Sequence, residues 1–153
     1  MEFTRSRKIA AGTVAAIAAT LLFQTSLTWA AGQEPLRINF ENCFVEDAGP
    51  FGGHYEGSVT GDFGVGTVIF TFESLVPGEV IWQFSGVYTI TTPQGTISAL
   101  ADGIDNLRSG SGHNVLNGEV IAGAHQGAQV QVRAFDTNGG ACSEGTITIT
   151  PGR

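Results

Sequence analysis

Lysine disappears from this chain after residue 8, and arginine is scarce. Beyond residue 30 only Arg37, Arg108, Arg133 and Arg153 carry a fixed positive charge, against thirteen carboxylates, for a formal net charge of −9 over residues 31–153. Affinity for nucleic acid comes mostly from neutralising phosphates with Lys and Arg, and attraction to anionic lipid headgroups uses the same residues. The charge balance therefore excludes nucleic acid as a partner, and a membrane surface once the basic N-terminus is gone. A long apolar run is also missing: the longest, Ile9–Phe23, falls short of the roughly 20 residues a helix needs to cross hydrocarbon. Past residue 35 no segment keeps a 3.6-residue apolar period with caps, which argues against helices.

Catalytic and metal-binding motifs are lacking as well. No Gly-x-Ser-x-Gly elbow occurs, and Ser109-Gly110-Ser111 reads as an ordinary loop. His54, His113 and His125 have no metal-ligand spacing, so no metal site is expected. Asp102-Gly103 and Asp105-Asn106 lack the twelve-residue pattern of a calcium loop. Gly61-Asp62-Phe63-Gly64 and Gly64-Val65-Gly66 open no helix and so form no phosphate cradle. No cofactor is implied, and no residue pattern sets an oligomeric state.

What is present begins with an export signal. Arg5, Arg7 and Lys8 form a positive n-region, Ile9–Phe23 an apolar h-region, and Thr28-Trp29-Ala30 a small-residue cleavage site, the three-part layout of a secretory signal peptide over residues 1–30. No cysteine follows the cut to carry a lipid anchor. The remainder, 31–153, suits one domain with a core of its own. It is expected to be secreted or periplasmic. In such an oxidising compartment the only two cysteines, Cys43 and Cys142, are expected to form a disulfide.

The mature chain alternates with period 2 between clusters of Gly, Pro, Asn and Asp. Leu36 to Phe44 sets Leu36, Ile38 and Phe40 against Arg37, Asn39 and Glu41, and His54 to Thr60 is a second strand. Gly66 to Leu75 sets Val68, Phe70 and Phe72 against Ile69, Thr71 and Glu73. Glu79 to Thr92 sets Trp82, Phe84, Tyr88 and Ile90 against Gln83, Ser85 and Thr89, with Gly86 marking a bulge or bend. Thr96 to Ile104, Val115 to Ala122, Ala128 to Phe135 and Cys142 to Thr150 complete eight strands. Eight short strands with short connections argue an all-β, antiparallel up-and-down barrel. Closing such a barrel pairs the first strand with the last and brings the two cysteines to the seam.

The stretches Gly57-Ser-Val-Thr-Gly-Asp-Phe-Gly-Val-Gly-Thr67, Phe84-Ser-Gly-Val-Tyr-Thr-Ile90, Leu116-Asn-Gly-Glu-Val-Ile-Ala-Gly123 and Gly127-Ala-Gln-Val130 resemble, in glycine rhythm, the allene oxide cyclase barrel-like and dirigent-like small secreted β-barrels. The resemblance implies a barrel that can hold, and in the cyclases convert, a small hydrophobic molecule. The Gly-Gly-Ser/Thr-Gly-x-Phe element of those plant barrels is absent; its nearest counterpart, Ser109–His113, lacks the aromatic.

Among side chains able to carry chemistry, Phe70, Phe72, Trp82, Phe84 and Tyr88 are the expected ligand-binding set, since inward rings line a cavity when they do not fill the core. Glu73 and Glu119 lie within strands; alternation turns Glu73 outward. His54, Tyr55 and Glu56 mark a polar cluster at the barrel mouth or a surface patch. Three functions remain open at this level: binding of a small hydrophobic or aromatic ligand, a cyclase or isomerase, and a solid structural or interaction barrel.

Overall fold

A computed structural model describes residues 34–107 and 112–152. The proposed signal peptide and the segment 108–111 lie outside the described residues. Eight strands follow one another: β1 (Leu36–Glu46), β2 (Gly53–Gly61), β3 (Gly66–Val76), β4 (Ile81–Thr92), β5 (Gly95–Asn106), β6 (His113–Gly123), β7 (Gln129–Thr137) and β8 (Cys142–Thr150). Each pairs antiparallel with its sequence neighbour, and β1 pairs with β8, so the sheet closes into an up-and-down barrel. Closure leaves no strand edge exposed. Apart from short turns such as the 3-10 turn at Asn138–Gly140, the described chain is strand and loop.

The alternation read from the sequence is the inside–outside alternation of this barrel. Ile38 and Phe40 of β1, Val59 of β2, Val68 and Phe70 of β3, Tyr88 and Ile90 of β4 and Ile97 of β5 point inward and are buried. Leu116 and Val120 of β6, Val130 and Val132 of β7 and Ile147 and Ile149 of β8 complete the core. Each fully buried Ile, Leu or Val contributes about 1.5–3 kcal/mol relative to exposure, so this ring of aliphatics is the main stabilising feature. At one end Phe63, from the β2–β3 turn, is buried and meets the ring of His125 edge-on at 6.1 Å. That end is closed.

The expected disulfide is present. Cys43 and Cys142 sit directly opposite each other as the last pair of the β1–β8 register, bonded through sulfur with Cα atoms 3.9 Å apart. By alternation with Arg37, Asn39 and Glu41, Cys43 lies on the outer face, so the bridge staples the seam from outside at one rim. The Phe44 amide, donating to the carbonyl of Ala141 at 2.8 Å, extends the ladder past the bridge.

The irregularity expected at Gly86 falls on the neighbouring strand. The β3–β4 register shifts between Phe72 and Ser74, making Glu73 the extra residue. A bulge resets the side-chain phase, and here Phe72 and Leu75 both come to line the lumen. Gly86, paired with Phe72, supplies space: a Cβ on it would overlap the Phe70 ring and the carbonyl of Thr71. Overpacking a closed core costs about 1–3 kcal/mol. Gly86→Ala is therefore expected to lower the urea midpoint by that free energy; an unchanged midpoint would show that the ring moves aside freely.

Candidate functional site

The site lies at the end opposite Phe63, where β1, β3, β5 and β7 finish and β2, β4, β6 and β8 begin. There the inward positions stop meeting across the lumen and leave a cavity of about 350 Å³, toward the lower end of the range for small-molecule sites. The barrel is not solid at this end.

One wall is aromatic. Phe70 and Phe72 of β3, Trp82, Phe84 and Tyr88 of β4 and Tyr55 of β2 all line the cavity. The structure thus gathers all five aromatic residues singled out in the sequence and adds Tyr55. They pack as a set of edge-on and tilted pairs: Phe70–Phe72 at 5.0 Å, Phe70–Tyr88 at 4.5 Å, Phe72–Phe84 at 5.9 Å and Tyr55–Phe72 at 6.0 Å between ring centroids. Phe40 of β1 meets Tyr88 of β4 at 5.9 Å, a contact between non-adjacent strands across the lumen. Phe70 and Tyr88 are buried, so they serve the core and the cavity at once. Trp82 is held at the rim by its indole N–H, which donates to the carbonyl of Gly78 at 3.0 Å.

The opposite wall is polar, and the strand register explains its order. Trp82 pairs with Asp105, Asp105 with Asn114, Asp136 with Ser143, and Ser143 with Asn42. Two register rows, Trp82–Asp105–Asn114 and Asp136–Ser143–Asn42, therefore carry an indole, two carboxylates, two amides and a hydroxyl, all lining the cavity. Asn114 itself pairs with Ala134, so Asp136 stands one inward step farther along β7. Asn114 donates from Nδ2 to Asp136 Oδ1 at 3.1 Å, and the Asp136 amide donates to the carbonyl of Gly112 at 2.9 Å. Gly112 passes between the two acids: a Cβ there would overlap Asp136 Oδ2 and Asp105 Oδ1 together. The two carboxylates thus converge on one point.

Asp105 is 8% exposed, and its Oδ1 is buried without a hydrogen-bond partner; the same holds for Oδ1 of Asn42, which is 3% exposed. Burial and, next, the charge of Asp136 push the Asp105 carboxyl up to about 6, with His113 opposing them. Burial raises the Tyr55 phenol too, aided by Asp136 and Asp105, while its hydroxyl donates to the carbonyl of Gly140 at 3.2 Å. The buried Tyr88 phenol is likewise raised and stays protonated.

The other acidic candidates lie elsewhere. Glu73 and Glu119 are exposed, and neither lines the cavity. His54, Tyr55 and Glu56 do not act as one cluster. Tyr55 turns inward, whereas His54 and Glu56 belong to an outer patch where His54 Nδ1 meets Asp47 Oδ2 at 2.7 Å and Nε2 meets Glu56 Oε2 at 3.7 Å. The hydrogen bond to Asp47 raises the His54 pKa, although the pair is exposed. Among the described residues no three His, Cys, Asp or Glu side chains converge as a metal site. Asp105, Asp136, Asn114, Asn42 and Ser143 were absent from the set expected from sequence.

Chemically, this is a half-apolar, half-acceptor pocket with one mouth. Comparison of the chain with protein-family models, with curated proteins and with solved structures finds no match, so the reading of this site rests on its own geometry.

Proposed function

We propose that this protein is exported and holds a small hydrophobic or aromatic molecule in the mouth of its barrel without transforming it. The observation that carries this reading is the cavity of about 350 Å³ with Phe70, Phe72, Trp82, Phe84 and Tyr88 on one wall. Exposed aromatic surface in a concave site is stabilised by an apolar occupant that displaces poorly bonded water. Export accords with the signal-like N-terminus and with a disulfide, a bond that persists in oxidising compartments. A free barrel in water accords with the alternation, apolar inside and largely polar outside, which is the reverse of a barrel facing lipid.

The test uses a neutral fluorescent probe. N-phenyl-1-naphthylamine, dim in water, is expected to brighten and shift to the blue on addition of the purified protein. Ser143→Phe, which fills the cavity from β8, is expected to abolish that response, while Ser143→Ala preserves it. Equal brightening with both variants would place the probe elsewhere and defeat the reading.

One observation favours a second reading, a cyclase or isomerase of the kind the allene oxide cyclase resemblance implies. Asp105, raised to about 6 beside an aromatic wall, is able to give up and recover a proton near neutrality. Native mass spectrometry after exposure to a metabolite extract separates the two, since a binder releases its ligand with mass and fragmentation unchanged.

A further inference from the structure

The polar wall has more acceptors than donors. Asp105 Oδ1 and Asn42 Oδ1 are buried without partners, although each residue is more than nine-tenths buried. A buried acceptor without a donor is costly, more so when charged. Asn114 spends one amide proton on Asp136. No lysine or arginine among the described residues lines the cavity: Arg37 and Arg133 are on exposed outward positions. No described residue thus brings a donor to these two oxygens, and no described lysine or arginine brings a positive charge to the two carboxylates; an occupant carrying both would relieve them.

We propose that the occupant is a small organic amine, its ammonium held between Asp105 and Asp136 beside Trp82 and its ring laid against the aromatic wall. This rests on the ligand-binding reading above and names its substrate class.

The geometry suits an ammonium in three ways. Such a group carries three donors, matching in number the unpartnered oxygens of Asp105 and Asn42 and the second oxygen of Asp136. Trp82 is the register partner of Asp105, so a cation at the carboxylate also lies near an indole, the ring whose face attracts cations best. The net charge of −9 over residues 31–153 draws cations toward the barrel from a distance. A hard divalent ion fits less well, since it demands six or more oxygens and half of this cavity is aromatic.

Among the described residues the ionisable groups facing Asp105 are Asp136 from β7, His113 from β6 and the phenol of Tyr55 from β2. The Tyr88 phenol of β4 lines the same cavity. Of these, Asp105 itself changes charge near pH 6, so amine binding is expected to weaken as the pH falls below that value.

The experiment is titration calorimetry of the purified protein with three probes of one shape: 2-phenylethylamine, 2-phenylethanol and phenylacetate. At pH 7.5 and low salt the amine is expected to bind about tenfold tighter than the alcohol, as a charge-assisted hydrogen bond to a buried carboxylate does, and phenylacetate weakest. Asp105→Asn and, independently, Asp136→Asn are each expected to bring amine and alcohol within about twofold of each other. Lowering the pH to 5 does the same for the unaltered protein. An alcohol that binds as tightly as the amine overturns the amine assignment and leaves a neutral-ligand barrel. Tighter binding of phenylacetate overturns it in favour of an anion site. Absence of binding by all three removes the ligand-binding reading itself. An amine preference that survives both substitutions locates the cation away from these acids and also overturns the proposal.

Discussion

Reducing the Cys43–Cys142 bridge is expected to lower the melting temperature by about 10–20 °C. The two residues are separated by 99 positions, nearly the whole domain. In the chain-entropy picture a closed loop of about 100 residues restricts the unfolded chain by about 4.7 kcal/mol, and commonly less is realised. Little of this comes from new native contacts, because β1 and β8 already pair over Leu36–Cys43 and Cys142–Ile149 without it. The effect should therefore be seen in equilibrium stability, with the barrel still folded at room temperature after reduction. Cys43→Ser combined with Cys142→Ser should match the reduced protein within about 1 kcal/mol. Calorimetry with and without reductant decides the matter, and coincident transitions would mean that the seam needs no staple. A second consequence is local. Asn42 and Ser143, the register neighbours of the bridged pair, line the cavity. Loss of the bridge should loosen that rim first and weaken ligand affinity before the barrel melts.

The barrel was legible because a closed antiparallel sheet imposes a single rule on the chain, apolar inward and polar outward at every second residue. Val68, Phe70 and Phe72, or Trp82, Phe84, Tyr88 and Ile90, state that rule openly, and the structure turns each of them to the inner face, with Trp82 exposed at the rim. Two cysteines near the ends of such a chain can meet only if its first and last strands are neighbours, which is how the seam became visible. The polar wall was hidden for a specific reason. Sequence reading ends β5 at Ile104, begins β6 at Val115 and ends β7 at Phe135, because apolar alternation stops there. The strands run on to Asn106, from His113 and to Thr137. Asp105, Asn114 and Asp136 each lie one residue beyond the expected limits, in the inward phase set by Gly103, Leu116 and Ala134. Hydrophobic periodicity cannot report inward residues that are polar, yet extending the phase by one step would have found all three. Glu73 and Glu119 attracted attention instead because they sit inside the apolar runs, where alternation turns them to solvent. The bulge after Phe72 was legible only as a local irregularity: glycine at 86 marked the right rung, but the extra residue resides on β3, where no glycine marks it.

Asp105→Asn is expected to stabilise the protein at pH 7 and to leave it unchanged near pH 4. The Asp105 carboxyl is raised to about 6 from an ordinary value of 3.8, first by burial and then by Asp136. The native state thus keeps a proton that the unfolded chain gives up between those values. Stability linked to this group is fully present below about pH 3.8, fades as the pH rises through about 6, and is gone at pH 7. A shift of that size corresponds to about 3 kcal/mol at most, at about 1.4 kcal/mol per unit. Water at the cavity mouth screens the charge, so about 1–2 kcal/mol is the realistic gain. An amide of the same shape avoids the charge and offers a donor to Asp136, which faces the same point. Other carboxylates titrate in the opposite sense, among them Asp47, held below its ordinary value by His54; the measured quantity is therefore the difference between variant and unaltered protein. Urea midpoints at pH 4, 5, 6 and 7 should diverge progressively upward. A variant that is less stable at pH 7, or a difference that ignores pH, would mean that Asp105 has a partner in the fold. A carboxylate that weakens its own barrel at neutral pH is a local conflict of the kind that marks functional sites. Binding a cation would remove that conflict, since the ligand stabilises only the ionised native form. The same substitution should thus strengthen the empty barrel and cut the extra stability that 2-phenylethylamine confers on the unaltered one to about that conferred by 2-phenylethanol, two effects of opposite sign from a single buried charge.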